Sequence, residues 1–280
     1  MITESVHGAN LVDIVYGGGV PDLGDPSEEF FEASKLQREL IGWQAPGVRL
    51  LQNTPDLYPI VARAGRRFAS RPGVSLTPAP RADRQLDDVL RQRRSADAFG
   101  DDPMSLSTLS GLLSLSYGVR PGTGEGTAMP PLRPAPSAGA LYPLDIYVAT
   151  QRVDGVRVGL HHADMACERL VHLHDVDLKS LAAASMQPEL TASAGAVVVI
   201  AASIWRSRVK YSQRALRFAL MEAGHVVQNM LLVAESYGLG ARALGGFCDD
   251  EVNQLVGLQG VDEFALYLVV VGSSPASASS

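Results

Sequence analysis

The chain has 280 residues, of which 46% are hydrophobic and 19% are charged, and its formal net charge is −6. These values are typical of a globular protein with a buried core, and the negative balance argues against nucleic-acid binding. No apolar run is long enough to span a bilayer, the first residues lack a secretory signal pattern, and the two cysteines have no metal-binding spacing, which together predict a cytoplasmic protein.

Residues 1–80 are predicted to form a helical amino-terminal extension. Within it, residues 26–40 and 55–70 have helical patterns, and the proline-containing segment 71–81 is interpreted as a linker. We therefore do not expect this part of the chain to be an independent domain.

Helices and strands alternate in the rest of the chain, which predicts an α+β fold with a mixed sheet packed between helices. Apolar periodicity predicts helices over residues 83–95, 105–118, 211–237 and 249–258. Apolar and β-branched runs predict strands over 144–150, 194–203, 241–247 and 264–272, with a hairpin formed by 156–162 and 168–175. The glycine- and proline-rich segment 120–139 is predicted to be a long loop.

Three separated segments have the residue types that could hold a planar ring with a phosphate tail. Arg93 and Arg94 follow a predicted helix, and guanidinium groups bind phosphate oxygens in pairs of contacts. The small residues of 136–143 and 243–247 allow the backbone to approach a flat ligand. Each signal alone has a simpler explanation, since arginine pairs are often solvated and glycine pairs often mark bends.

Taken in order, the segments 93–99, 136–148 and 210–258 resemble the SagB-type dehydrogenases, which belong to the FMN-binding nitroreductase superfamily. The resemblance extends over residues 83–272. It implies a nitroreductase-like mixed sheet sandwiched by helices, an intertwined homodimer, and FMN as the cofactor. It places the FMN-binding domain at 81–272, followed by the polar tail 273–280, which lacks the means to fold.

The resemblance also implies which residues contact FMN. Those expected at the phosphate and ribityl groups are Arg93, Arg94 and Ser95. Those expected to line the flavin from the partner subunit are Pro136, Ser137, Ala138, Gly139 and Ala140. Those expected to approach the edge of the ring through their backbone are Leu244, Gly245 and Gly246.

One departure from the family pattern concerns the phosphate. Many nitroreductases have a basic residue after the final strand, whereas this chain has no lysine or arginine after Arg242. Arg214 and Arg217 are the candidate substitutes. They lie on the predicted helix 211–237, which the resemblance places at the centre of the dimer.

The pair Lys210–Tyr211, expected at the start of that helix, resembles a motif of the azoline oxidases in this family. These enzymes convert thiazolines or oxazolines in peptides to thiazoles or oxazoles, with a hydride leaving to flavin N5 and a proton leaving to a base. A lysine accepts this proton only when it is deprotonated, which burial and cationic neighbours such as Arg208 favour. Tyr211 could orient the ring nitrogen or relay the proton, or it could simply anchor the helix with its ring.

Two further groups of polar residues have simpler interpretations. Glu222 and His225 are three residues apart on the predicted helix, and we expect them to form an internal pair. His172 and His174 would share one face of a strand, but no carboxylate or cysteine spacing accompanies them, so no metal site is predicted.

The leading hypothesis is an FMN-dependent dehydrogenase that acts on azoline rings in a modified precursor peptide or a carrier-bound substrate, with a cyclodehydratase as a candidate partner. The alternative enzyme is an NAD(P)H-dependent nitro or quinone reductase. The third hypothesis is a non-catalytic peptide-binding subunit of a modifying complex. Neither a nucleic acid nor a membrane is expected as a partner.

Overall fold

The computed structural model describes residues 26–62, 66, 68–123 and 131–275. The chain divides into two compact units between Gln44 and Ala45. None of the helices in the described ranges is long and apolar enough to cross a membrane.

The first unit contains helix α1 (Pro26–Ala33) and helix α2 (Ile41–Gln44). The helix predicted over 26–40 therefore ends earlier than expected. The hydroxyl of Ser34 donates a hydrogen bond to the carbonyl of Phe30 (2.6 Å), and such local bonds compete with helix continuation.

The second unit confirms the predicted α+β class. Its described helices are α3 (Pro46–Asn53), α4 (Leu57–Ala62), α5 (Leu86–Gln92), α6 (Leu106–Tyr117), α7 (Leu178–Ala183), α8 (Pro188–Ser193), α9 (Trp205–Tyr211), α10 (Arg214–Ser236) and α11 (Asp249–Val256). Its strands are β1 (Gly73–Ser75), β2 (Leu144–Thr150), β3 (Gly159–Asp164), β4 (Arg169–His174), β5 (Ala196–Ser203), β6 (Leu239–Leu244) and β7 (Glu263–Ser273).

The strands form one seven-stranded sheet in the order β1-β4-β3-β2-β5-β7-β6. Every neighbouring pair described is antiparallel, whereas a mixed sheet was expected. The segment 71–81, interpreted as a linker, supplies the edge strand β1, which pairs with β4 through Gly73 and Val171. A strand of three residues followed by prolines is too short to give a period-two pattern, which explains the difference.

The sheet is covered by helices on both faces. Along β2, Ile146 and Val148 pack into one apolar cluster with α6 and α10, while Tyr147 and Ala149 pack into a second cluster with α7, α8 and α11. All residues of β5 are buried, as the continuous apolar run predicted.

The candidate site segments leave the sheet at one end. Leu144, at the start of β2, pairs with Ala202 near the end of β5, and Ala202 pairs with Phe264 near the start of β7. The last residue of β6, Leu244, pairs with Leu268 of β7. The chain before β2, the chain after β5 and the chain after β6 therefore lie at the same end, with β5 and β7 between β2 and β6.

Candidate active site

Lys210 and Tyr211 occupy the last turn of α9, so the expectation that they open the long helix was wrong. Ser212 breaks the helix with φ 49° and ψ −125°, and α10 begins at Arg214. The sequence on both sides keeps a helical pattern, which is why periodicity does not reveal the break.

The two side chains converge on the backbone of Gly139. An ideal Cβ on this glycine would lie 2.5 Å from Tyr211 Oη and 2.6 Å from Lys210 Nζ. Gly139 also has a φ of 62°, so its conformation favours glycine, and any side chain there would displace Lys210 Nζ and Tyr211 Oη. The structure thus brings the Lys210–Tyr211 pair together with the segment expected to line the flavin.

The ring of Tyr211 is held while its hydroxyl reaches this point. It packs edge-on against Phe218 of α10, with ring centroids 4.9 Å apart. Helix α3 supports the backbone beneath, since a Cβ on Gly47 would lie only 1.8 Å from the carbonyl oxygen of Val209 and 2.8 Å from Lys210 Cα. The ring therefore anchors the end of α9, which was one of the two roles considered for Tyr211. Its hydroxyl still lies beside Gly139, so the two roles are compatible.

Arg206 fixes α9 to the chain just before β2. This arginine is only 5% exposed, and its Nη1 donates to the carbonyl of Tyr142 (2.9 Å), while Nη2 bonds Asp145. Asp145 also accepts a hydrogen bond from the hydroxyl of Ser203 (2.6 Å). Although burial opposes ionisation, Arg206 and these hydrogen bonds lower the pKa of Asp145 below its usual range.

The segment 137–142 that carries Gly139 is strained. Ala140 and Tyr142 have φ values of 52° and 46°, a left-handed conformation that costs about 1–3 kcal/mol for each such residue. Hydrogen bonds hold it there: Tyr142 N donates to Ser137 Oγ (2.9 Å), and Arg133 N donates to Tyr142 Oη (3.0 Å).

The predicted internal pair of Glu222 and His225 does not form. Glu222 is 2% exposed and accepts a hydrogen bond from Tyr117 Oη (2.7 Å), whereas His225 is exposed. Burial raises the pKa of Glu222 to about 7, and the hydrogen-bonding groups of Ser137 and Tyr117 oppose this effect only in part. The spacing of two residues on a helix does not show which of them is buried. The glutamate within the apolar pattern did indicate a buried carboxyl, but its partner Tyr117 lies on α6, which no local pattern reveals.

The other two predicted segments meet along the edge strand β6. Ala96 N donates to the carbonyl of Ala241 (3.0 Å), and Gly100 N donates to that of Ser273 (2.9 Å), beside the first residue of β6. The segment 93–100 therefore runs antiparallel to β6, with its arginine end directed towards the carboxyl end of that strand.

Arg93 fits an anionic ligand at this edge. Its Nη1 is buried and has no hydrogen-bond partner in the described part of the chain. Arg94 is exposed and donates to the carbonyl of Arg91 (3.1 Å), and Ser95 is exposed. Arg242 Nη1 donates to Asp97 Oδ1 (2.6 Å), so this arginine already has an anionic partner within the chain.

Backbone is accessible just beyond β6. Leu244 is buried, while a Cβ on Gly245 would meet nothing closer than Tyr267, at 3.8 Å. Gly246 is more confined, because a Cβ there would lie 3.0 Å from the side chain of Met186. Gly245 is therefore the position at which a flat ligand has room to approach.

Within one chain the predicted site residues form two groups rather than one. Lys210, Tyr211 and Gly139 lie near the start of β2, and the Arg93 group lies near the end of β6. Within the sheet, the strands β2 and β6 are three strand spacings apart, which is roughly 14 Å. Among the described residues no cluster of histidine, cysteine, aspartate or glutamate could hold a metal ion.

The helices on both faces of a seven-stranded antiparallel sheet define an α+β protein. Residues 90–273 match the model of the Nitroreductase family. Since this match covers more than half of the chain, the chain belongs to the nitroreductase family, whose members are flavin-dependent oxidoreductases.

The relatives bear different names. The protein named "Putative nitroreductase MJ1384", from Methanocaldococcus jannaschii, is 36% identical over 189 residues, which cover 67% of this chain and 90% of that protein. The microcin B17-processing protein McbC of Escherichia coli is 28% identical over 132 residues, which cover 45% of this chain and 48% of McbC.

A solved structure extends the likeness in fold. A chain in the E. coli microcin synthetase McbBCD complex, solved with truncated pro-MccB17 bound, aligns with 91% of this chain and 99% of its own length. The TM-score is 0.55 and the identity 20%, so this likeness concerns the fold alone.

Proposed function

We propose that this chain is an FMN-dependent dehydrogenase that oxidises thiazoline or oxazoline rings in a peptide to thiazoles or oxazoles. The observation that carries the proposal is the convergence of Lys210 Nζ and Tyr211 Oη on Gly139. A reaction that removes a hydride and a proton needs a base near the flavin, and these groups can supply one. The relative named for processing microcin B17 supports a peptide substrate. A modified precursor peptide or carrier-bound substrate and a cyclodehydratase partner belong to this proposal.

The chemistry divides between the cofactor and the chain. When bound, FMN supplies the acceptor for the hydride that leaves the azoline ring. The chain handles the proton: the neutral amine of Lys210 accepts it, and the hydroxyl of Tyr211 orients the ring nitrogen by a hydrogen bond. The edge contact of Tyr211 with Phe218 and the support of α3 fix both groups, which favours reaction from one geometry.

Arg93 is the residue that we propose for the FMN phosphate, because its buried Nη1 needs an acceptor. Arg94 and Ser95 lie next to it, and the backbone of 244–246 would follow the ring edge. Residues 136–140 would cover the flavin of the other subunit in a homodimer. The separation of the two groups within one chain supports this arrangement, since each site is then completed by the partner.

The test is anaerobic mixing of the purified protein with a thiazoline-containing peptide while flavin absorbance is followed. We expect bleaching in the wild type, and a loss of about 10²–10⁴ in its rate for Lys210→Ala, since a general base contributes that much. Tyr211→Phe should lose less and retain the flavin. Lys179→Ala, which changes an exposed lysine of α7, is the matched control and should leave the rate unchanged.

Two outcomes contradict the proposal. Unchanged rates in both Lys210→Ala and Tyr211→Phe would remove the assigned base. A wild-type protein that stays colourless after reconstitution with FMN would contradict the assignment of FMN as the cofactor.

The proposed phosphate contact has its own test. Arg93→Gln should weaken the retention of FMN, whereas Arg91→Gln, which changes a solvated arginine paired with Asp87, should not.

The relative at 36% identity favours a second candidate, an NAD(P)H-dependent nitro or quinone reductase. In that case NADPH bleaches the flavin and the thiazoline peptide does not. Lys210→Ala would then leave the rate of bleaching by NADPH unchanged.

A further inference from the structure

Helix α9, which ends with Lys210 and Tyr211, is too short to hold its own position. It has only seven residues, and an isolated helix of that length is not stable in water. The side chain of its N-cap residue, Ile204, makes no capping hydrogen bond, and the helix ends at Ser212, which has a positive φ. The position of α9 is therefore set by its contacts with other parts of the chain.

Arg206 makes such a contact one turn before Lys210, on the same face of α9. Its Nη1 donates to the carbonyl of Tyr142 (2.9 Å), and its Nη2 bonds the carboxylate of Asp145. Lys210 Nζ lies beside Gly139. The helix thus meets the chain around the start of β2 at two points, which are about 6 Å apart along the helix axis because each residue rises 1.5 Å.

The ion pair of Arg206 and Asp145 is buried, and the carboxylate is itself held in place. Ser203 Oγ donates to Asp145 (2.6 Å), and Ser203 N donates to the carbonyl of Pro143 (2.7 Å). A buried ion pair is weak evidence for stability, since apolar residues of similar volume often serve as well. A guanidinium group with donors in a fixed planar arrangement instead gives a defined direction to the contact.

We propose that Arg206 and Asp145 are positioning residues of the Lys210–Tyr211 site. Their ion pair sets the distance and the direction from which the amine and the phenol approach Gly139. The inference rests on the proposed function, and it adds two residues that act on the reaction only through the placement of α9.

The test is a variant that lacks the ion pair, Arg206→Gln combined with Asp145→Asn, which leaves no buried charge unpaired. In anaerobic mixing with a thiazoline-containing peptide, we expect flavin bleaching at saturating peptide to slow by about 10–100-fold, since a displacement of about 1 Å can cost as much. The peptide concentration for half-saturation and the retention of FMN should change little.

A background without the amine separates positioning from a general loss of structure. In Lys210→Ala, removal of the ion pair should slow the residual bleaching by less than about threefold, because no amine is left to be placed. An equal loss in both backgrounds would mean that the ion pair only stabilises the fold, and it overturns the inference.

The control removes a different ion pair in the same way. Arg84→Gln combined with Glu235→Gln changes a pair at the far end of α10 and should leave the rate of bleaching unchanged. Where the variant without the buried pair does not fold, Arg206→Lys makes the same test, because lysine keeps the charge but lacks the second arm that reaches Tyr142. A wild-type rate in Arg206→Lys would then overturn the inference.

Hydrogen–deuterium exchange of the full-length protein gives a readout that needs no azoline substrate. In the variant without the ion pair, peptides that contain residues 205–211 should lose protection by about tenfold or more, while those of β5 keep theirs. Unchanged exchange over 205–211 overturns the inference. The expected exchange without azoline turnover in the wild type would contradict the proposed function alone. Turnover that does not depend on the ion pair would contradict the role of Arg206 and Asp145 alone.

Discussion

Gly139 marks the limit of what individual residues reveal from sequence. Its small size indicated that the backbone could approach a ligand there. The structure adds that Gly139 has a positive φ, a conformation that glycine adopts without steric cost. Its contact with Lys210 and Tyr211 depends on how β2 and β5 pair, which no local pattern encodes. The residue types of the site could therefore be predicted, while their grouping could not.

Glu222 gives a stability prediction at the same scale. Glu222→Gln should raise the free energy of unfolding above about pH 7, by on the order of 2–3 kcal/mol. The folded-state pKa of about 7 lies above the ordinary 4.5, so stability present below the lower value is lost as pH rises through the higher one. The Gln variant lacks this titration.

Urea unfolding at about pH 5 and about pH 8.5 measures the difference, which we expect to appear only at the higher pH. Glu235→Gln should show no gain at either pH, because its carboxylate is paired with Arg84. Equal stabilisation of Glu222→Gln at both pH values would mean that the carboxyl is not held at a raised pKa.

Among the secondary-structure elements, those with strong local signals were predicted best. The buried strand β5, the hairpin of β3 and β4, and helix α6 all form, and Ser105 is the N-cap of α6. The break between α9 and α10 was missed because Ser212 is a non-glycine residue at φ 49°, held there by tertiary structure.

Ser212→Gly should therefore raise the free energy of unfolding by about 1 kcal/mol, since glycine adopts this conformation without steric cost and only part of the gain is offset by its unfolded-state entropy. Ser114→Gly, in the interior of α6, should lower it by about 0.5–1 kcal/mol. Denaturant midpoints of the two variants measured side by side decide the matter. A loss of stability in Ser212→Gly would show that the serine side chain holds the break.

For the whole molecule, α10 presents apolar side chains that the described part of the chain leaves exposed. Leu220 and Met221 are 44% and 55% exposed, while the opposite side of the helix is buried. The homodimer remains a prediction, and this face is where the resemblance placed its centre. Exposed apolar residues that lie together on one helix are typical of an interface.

Met221→Lys should weaken the predicted dimer and lower the apparent mass in multi-angle light scattering, since a buried unpaired charge opposes association. The loss should be at least tenfold in the dimer dissociation constant, which is about 1.4 kcal/mol. Val261→Lys, at an exposed valine between α11 and β7, is the control and should not change the mass. A wild-type chain that is monomeric at micromolar concentration would refute a homodimer.

The contact between Gly47 and the end of α9 has a consequence for changing what this protein accepts as substrate. Any side chain at Gly47 would displace the carbonyl of Val209 and with it the backbone of Lys210. A mutant library aimed at new substrates would therefore contain many inactive members if it varied this glycine, because each replacement would move the backbone that carries Lys210. The residues that cannot be varied therefore include more than those that line the site. Gly47 of α3 is one of them.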